Sequence, residues 1–141
     1  MSLAEKLTIE KLNKCKNYKK AILNLNKDIE DIEKEIYNLR PINLETIKSS
    51  GKSNYKLEEA IQEKKDLETI LTTNIVRLNR IEGTIRQLKD LETVRILIDL
   101  YINDITNISE LELKHNLSRS SIYRKRDKGI KDLSEIMWGA I

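Results

Sequence analysis

This 141-residue sequence predicts an all-α fold. It is laid out as a long N-terminal helical hairpin or coiled coil (residues 1–89) followed by a C-terminal helix-turn-helix module (residues 90–141). Two observations carry the fold class. Helix breakers are scarce, with four Gly and one Pro, and Phe is absent, which argues against the turns and aromatic strands of a sandwich or barrel. Apolar residues recur at alternating steps of three and four along most of the chain, which is the period of a helix face and not of a strand. The length suits one compact domain or two small ones and leaves no room for a large enzyme core.

The first seam runs Cys15, Tyr18, Ile22, Leu25, Ile29, Ile32, Ile36 and Leu39, with polar residues filling nearly everything between. Arg40-Pro41 ends it, because proline disfavours a helical conformation in the residue before it. A helix from Leu7 to Leu39 is roughly 50 Å long at about 1.5 Å per residue, too long for a core of this size to bury alone. It needs another helix beside it.

That helix is visible downstream. A second seam runs Leu57, Ala60, Lys64, Leu67, Leu71, Asn74, Leu78, Ile81, Ile85 and Leu88, with Ile61, Ile70 and Ile75 widening the stripe. Lys64 and Asn74 stand at seam positions, and a buried Asn in a coiled coil commonly fixes register or oligomer state. The connection, residues 41 to 54 with the polar run Ser49–Asn54, allows an antiparallel hairpin within the chain. The same seams can also pair between chains, and the wide stripe points to a homo-oligomer, a dimer or tetramer.

From Asp90 the pattern changes to three short helices. Leu91, Val94, Leu97, Ile98 and Tyr101 mark the first, and Asn103–Asn107 is turn-rich. Ser109 with Glu112 forms a capping box for the second, residues 109 to 115. Asn116-Leu117 is a tight turn, after which Ser118 caps a third helix carrying Ile122, Gly129, Ile130, Leu133, Ile136 and Met137. No segment reads as a strand.

Lys and Arg outnumber Asp and Glu only 26 to 23, but the charge is concentrated. Between Lys114 and Lys131 lie seven cations against one anion, Asp127. A weaker basic run spans Lys11–Lys20, and Asp28–Glu35 is acidic. A charged run is ordinarily a solvated helix face. Here it coincides with three short helices and a tight turn before the basic one, the pattern of a helix-turn-helix that binds double-stranded DNA. Arg119, Ser120, Tyr123 and Arg124 lie early on the outward face of the third helix, where a major groove would meet them first, and are the candidate base contacts. Lys114, Ser118, Lys125, Lys128 and Lys131 are the candidate phosphate contacts, Ser118 through the capped helix N-terminus.

Leu91–Ile102, Ile108–Leu111 and Leu117–Arg124 together resemble the fourth region of bacterial sigma factors. In that family the last helix reads an upstream promoter element and the module also touches RNA polymerase. The family's recognition positions just after the capping Ser or Thr fall on Arg119 and Ser120, and those beside its next turn on Tyr123 and Arg124. Lys125 replaces an apolar residue usual there, and Gly129 replaces Ala. The whole layout is similar to the RinA/ArpU-type regulators of phage late genes. It shares with them a Tyr-containing coiled coil, a Gly/Ser-bearing middle, a second long helix and a sigma-like end. The resemblance implies a phage or prophage transcriptional regulator, an activator of late genes, with RNA polymerase as a further partner. Two alternatives stay open: a phage small terminase subunit, which also joins helix-turn-helix and oligomerising helices, and a coiled-coil adaptor that binds no DNA.

Other features point away from chemistry. No nucleophile, base and orienting group can be assembled around one His and one Cys, so no enzyme is expected, and neither is a cofactor or metal. Gly51-Lys52-Ser53 copies the tail of a phosphate-binding loop, but Thr46 stands where the first Gly is needed. His115 reads as a surface or capping residue, Cys15 as seam packing and Trp138 as an anchor on the helical bundle. No apolar run spans a membrane and none resembles a signal peptide, so the expectation is a cytoplasmic protein of a bacterial host cell.

Overall fold

The computed structural model describes residues 1–40 and 51–139. The elements among them are helical: α1 (Leu3–Asn13), α2 (Cys15–Leu39), α3 (Gly51–Ile85), α4 (Leu91–Leu97) running into a π-helical turn (Ile98–Ile102), α5 (Ile108–His115) and α6 (Arg119–Trp138). None of these helices is long and apolar enough to cross a membrane.

The first helix starts earlier than the seam predicts because Ser2 caps it, its Oγ accepting the Glu5 N–H at 3.1 Å. Lys14 alone separates α1 from α2. Its N–H is shared between the Glu10 and Lys11 carbonyls, both at 3.3 Å, and the Tyr18 N–H returns to the Lys14 carbonyl at 3.0 Å. The pair is therefore one helix bent at a single residue. Gly51–Asn54, read from sequence as part of the connection, opens α3 instead; the rest of that connection, 41–50, lies outside the described residues.

Two compact units make up the chain: Lys20–Ile75, and Met1–Lys19 together with Val76–Ile141. In the first, Ile32 and Ile36 of α2 and Ala60 of α3 are buried, with Leu39, Leu57, Ile61 and Leu67 packed around them. The end of α2 thus meets the start of α3, as an antiparallel hairpin requires. Lys64 is tolerated in the seam because Glu33 of α2 pairs with it at 3.3 Å and Glu68 at 3.7 Å. Within the chain Asn74 is only partly buried, and its Nδ2 donates to the Ile70 carbonyl of its own helix at 2.9 Å. Ile70 and Ile75 do not widen the buried stripe either. They are 50% and 37% exposed, because two helices cover only the centre of the seam and leave its flanks without a neighbour.

The second unit has more layers. Leu12, Cys15, Ile81, Ile85, Val94, Leu97, Ile130 and Leu133 form one cluster, drawing on five helices. A second cluster joins Ile96, Leu111 and Ile122. Helix α4 is buried on two sides, which is why Ile96 is in a core although it stands off the predicted stripe, while Leu91, on that stripe at the helix start, is 59% exposed. Ile136 is likewise more exposed than its place in the third-helix stripe implies. Residues 1–19 and 76–89 pack with the C-terminal helices, so the packing boundary differs from the 89/90 boundary drawn from periodicity. The Trp138 indole N–H donates to Thr8 Oγ1 at 3.1 Å, and the Thr8 hydroxyl in turn donates to the Ala4 carbonyl at 2.8 Å, fixing α6 on α1. Trp138 is the packing anchor the sequence suggested.

At Gly129, α6 lies close against α4. A Cβ there would lie 2.5 Å from Thr93 Cγ2 and 3.0 Å from Leu97 Cδ1. Thr93 is held in place by its hydroxyl donating to Asp90 Oδ2 at 2.7 Å.

Candidate nucleic-acid interface

Three capping arrangements position the basic helix. Helix α5 is capped by Asn107, whose side chain accepts the Ser109 N–H at 3.0 Å; Ser109, the predicted cap, sits inside the helix. Asn is at least as good a cap as Ser, and Asn107 comes first in the chain. The helix ends at Asn116 in the left-handed region (φ 52°, ψ 47°), a conformation Asn adopts more readily than most residues. The turn then closes at Ser118, whose Oγ accepts the Ser121 N–H at 3.2 Å and donates to Ser121 Oγ at 2.9 Å. Three residues, Asn116 to Ser118, therefore turn the chain from α5 into α6.

Below this turn, Ile122 is fully buried with Leu111 and Ile96, and Leu117 packs against them. Anchoring Ile122 inward turns Arg119, Ser120 and Arg124 to solvent, and all three are exposed. Tyr123 is half-buried between two guanidinium groups, Arg119 at 5.6 Å and Arg126 at 4.8 Å from the ring centroid. Arg119 also reaches the Tyr123 hydroxyl at 3.4 Å. Arg126 holds Asp127 through two hydrogen bonds, at 2.9 and 2.8 Å. All four candidate base contacts thus share the start of α6, two of them in contact.

The candidate phosphate contacts divide. Lys128 and Lys131 are exposed and enter no ion pair among the described residues. Ser118 Oγ is engaged in the cap. Lys125 is held by Glu92 at 2.9 Å and Asp90 at 3.1 Å, the acidic start of α4. Its hydrogen bonds to Glu92 and then Asp90 raise its pKa, while bonds from Thr93 and then Lys125 lower that of Asp90. The polar pair on α4 explains how Lys125 occupies a position where the sigma-like pattern has an apolar residue. Lys114 donates to Asp99 Oδ1 at 2.9 Å.

Asp99 is a buried polar hub that the sequence reading missed. It is buried in the π-helical turn and accepts from Lys114, from Asn103 at 2.8 Å and from His115 at 2.7 Å. Burial opposes its ionisation, but the bonds from Lys114, Asn103 and His115 outweigh it and hold its pKa below the usual 3.8. An ionised carboxylate only accepts, so the His115 Nε2 bears the proton in this bond. His115, expected at the surface or as a cap, stands at the end of α5 with its side chain only 7% exposed, drawn in by Asp99. The available signal was the carboxylate itself, set between Ile96-Leu97-Ile98 and Leu100-Tyr101-Ile102, where an ionised group needs partners. This hub ties the first helix of the module to the residue preceding the tight turn.

Among the described residues, no group of His, Cys, Asp and Glu side chains could hold a metal ion. Compared with known proteins, the chain matches no family model, no curated sequence and no solved structure.

Proposed function

We propose that the chain is a DNA-binding transcriptional regulator that inserts the start of α6 into the major groove. One observation carries this reading: a short, doubly capped turn leads into a helix whose inward residue, Ile122, is locked in a core while Arg119, Ser120, Arg124 and Lys128 face solvent. A fixed backbone with long donors on one face is what direct readout of base edges needs. Stacking of Arg119 on Tyr123 orders one of these side chains in advance, which lowers the entropy cost of binding. Lys128 and Lys131 supply phosphate contact. Lys125 and Lys114 serve instead to hold α6 and α5 against α4 and the π turn.

The finer identity, a phage late-gene activator that also contacts RNA polymerase, is supported by the sigma-like and RinA/ArpU-like sequence pattern. Self-association is supported by the apolar side chains that the Lys20–Ile75 unit leaves exposed, Leu23 and Ile70. The test is selection of binding sites from a random duplex pool, with an Arg119→Ala/Arg124→Ala variant in parallel. Enrichment of one short motif that the variant loses is expected. No enrichment by a folded wild-type protein overturns the reading. Lys128→Ala is expected to lower the salt slope of binding by about one, whereas Lys125→Ala, already paired within the chain, leaves that slope unchanged.

A further inference from the structure

Lys11, at the start of the basic run Lys11–Lys20, sits against the end of α6 far from the proposed base contacts, and it gains cationic neighbours from α3. Within the unit that holds both termini, a groove of about 540 Å³ is lined by Lys11 of α1, Arg77, Arg80 and Ile81 of α3, and Ile136 and Met137 of α6. Arg77, Arg80 and Ile81 fall at steps of three and four and so share one face of α3. Lys11, Arg77 and Arg80 are exposed, no carboxylate lines the groove, and none of the three cations enters an ion pair among the described residues. The Lys11 ammonium sits 4.9 Å over the Trp138 ring, which fixes its position without neutralising its charge.

We infer that this groove docks an acidic amphipathic segment of a partner protein. Charge alone fits any polyanion; the apolar lining separates them. A phosphate backbone has no apolar surface to lay on Ile136 and Met137, whereas a helix with Leu or Ile on one face and Asp or Glu beside it removes both from water while meeting three cations. Position favours the same occupant. The later half of α6 is committed to the core through Ile130 and Leu133. Met137 lies about 20 Å along the helix from Arg124, at about 1.5 Å per residue. A duplex taken at the start of α6 is therefore remote from the groove; this one step rests on the DNA-binding reading.

The test uses the full chain and a fluorescent synthetic helix with Leu at i, i+3, i+4 and i+7 and Glu elsewhere. A second peptide carries Gln for every Glu, and a random-sequence duplex completes the set. The Glu peptide is expected to bind more tightly as salt is lowered, with the Gln peptide at least about tenfold weaker. Arg77→Glu/Arg80→Glu weakens the Glu peptide by about tenfold or more, and Ile136→Ser weakens it a few-fold with its salt dependence intact. Arg119→Ala/Arg124→Ala leaves peptide binding unchanged, so failure of the DNA reading and failure of the groove are read separately. Equal binding of the Gln peptide, or full binding by a folded charge-reversed variant, overturns the inference. So does absence of peptide binding, and a charge-reversed variant that loses duplex affinity instead assigns the groove to nucleic acid. If that variant does not fold, the Ile136→Ser variant and the Gln peptide decide.

Discussion

The Lys20–Ile75 unit and the unit holding both termini carry the same three-four apolar period, yet they build unequal cores. The first buries Ile32, Ile36 and Ala60, and leaves Leu23 and Ile70 half or more exposed. Among the described residues, the largest fully buried side chains lie in the second, including Leu12, Ile85, Ile96, Leu97, Leu111, Ile122 and Leu133. Period alone does not determine burial. A seam covered by one helix buries a line of side chains, and a seam covered from two directions buries a volume. The module proposed to read DNA sits in the second kind, where its turn can be held rigidly.

Truncating one buried residue in each unit gives the largest expected effect. Leu97→Ala empties a site enclosed by α1, α3 and α6 neighbours and should cost about 3–5 kcal/mol, since the packed surroundings collapse little. Ile36→Ala removes a side chain with solvent nearby and should cost about 2 kcal/mol, the low end for such a change. Urea unfolding followed by far-ultraviolet circular dichroism measures both. Equal losses would mean that the two units are covered alike, against the structure.

Glycine substitutions sharpen the same contrast with smaller effects. Gly129→Ala drives a methyl into Thr93 and Leu97 and should destabilise by about 1–3 kcal/mol, because Thr93 is tethered to Asp90 and cannot retreat freely. Gly83 in α3 has nothing within 4 Å of an added Cβ, so Gly83→Ala should stabilise by up to about 1 kcal/mol through helix propensity. Thermal melts of the two variants should move in opposite directions; a stabilised Gly129→Ala would show that α4 and α6 are not in close contact.

Much of this was legible in the sequence. The seam residues from Cys15 to Leu39 are all buried or half-buried, and the Ser118 cap and the Asn116 turn stand where the local pattern put them. These are features in which the signal and the structure are neighbours in the chain. What was not legible depends on partners far apart in sequence. Lys125 and Lys114 look like free cations until Asp90, Glu92 and Asp99 arrive beside them. Gly129 looks like a weak helix residue until Thr93 is against it. His115 looks exposed at a helix end until Asp99 draws it in. The π turn, closed by the Asn103 N–H on the Ile98 carbonyl at 2.9 Å, has no periodicity signature over five residues.

A last contrast sets an ion pair of one unit against an ion pair of the other, and its exposed member gives the smallest effect expected. Asp99 is buried, and its folded pKa lies below the ordinary 3.8. A depressed carboxylate pKa stabilises the fold above the unfolded value, and that contribution is lost as pH falls through the folded one. Asp99→Asn should therefore cost about 1–3 kcal/mol near neutral pH, with the gap from wild type closing as pH is lowered below about 3.8. In the hairpin, the Lys64–Glu33 pair is substantially exposed, so Lys64→Gln should cost under about 1 kcal/mol, an amount that shrinks in high salt. The two losses have different origins: one is removal of a desolvated acceptor serving three donors, the other a screened attraction between mobile side chains. Stability measured against pH for the first and against salt for the second separates them. If Asp99→Asn kept its full cost at about pH 3, the carboxylate's charge would not be what holds His115 and Lys114 at the turn, and shape alone would have to account for that hub.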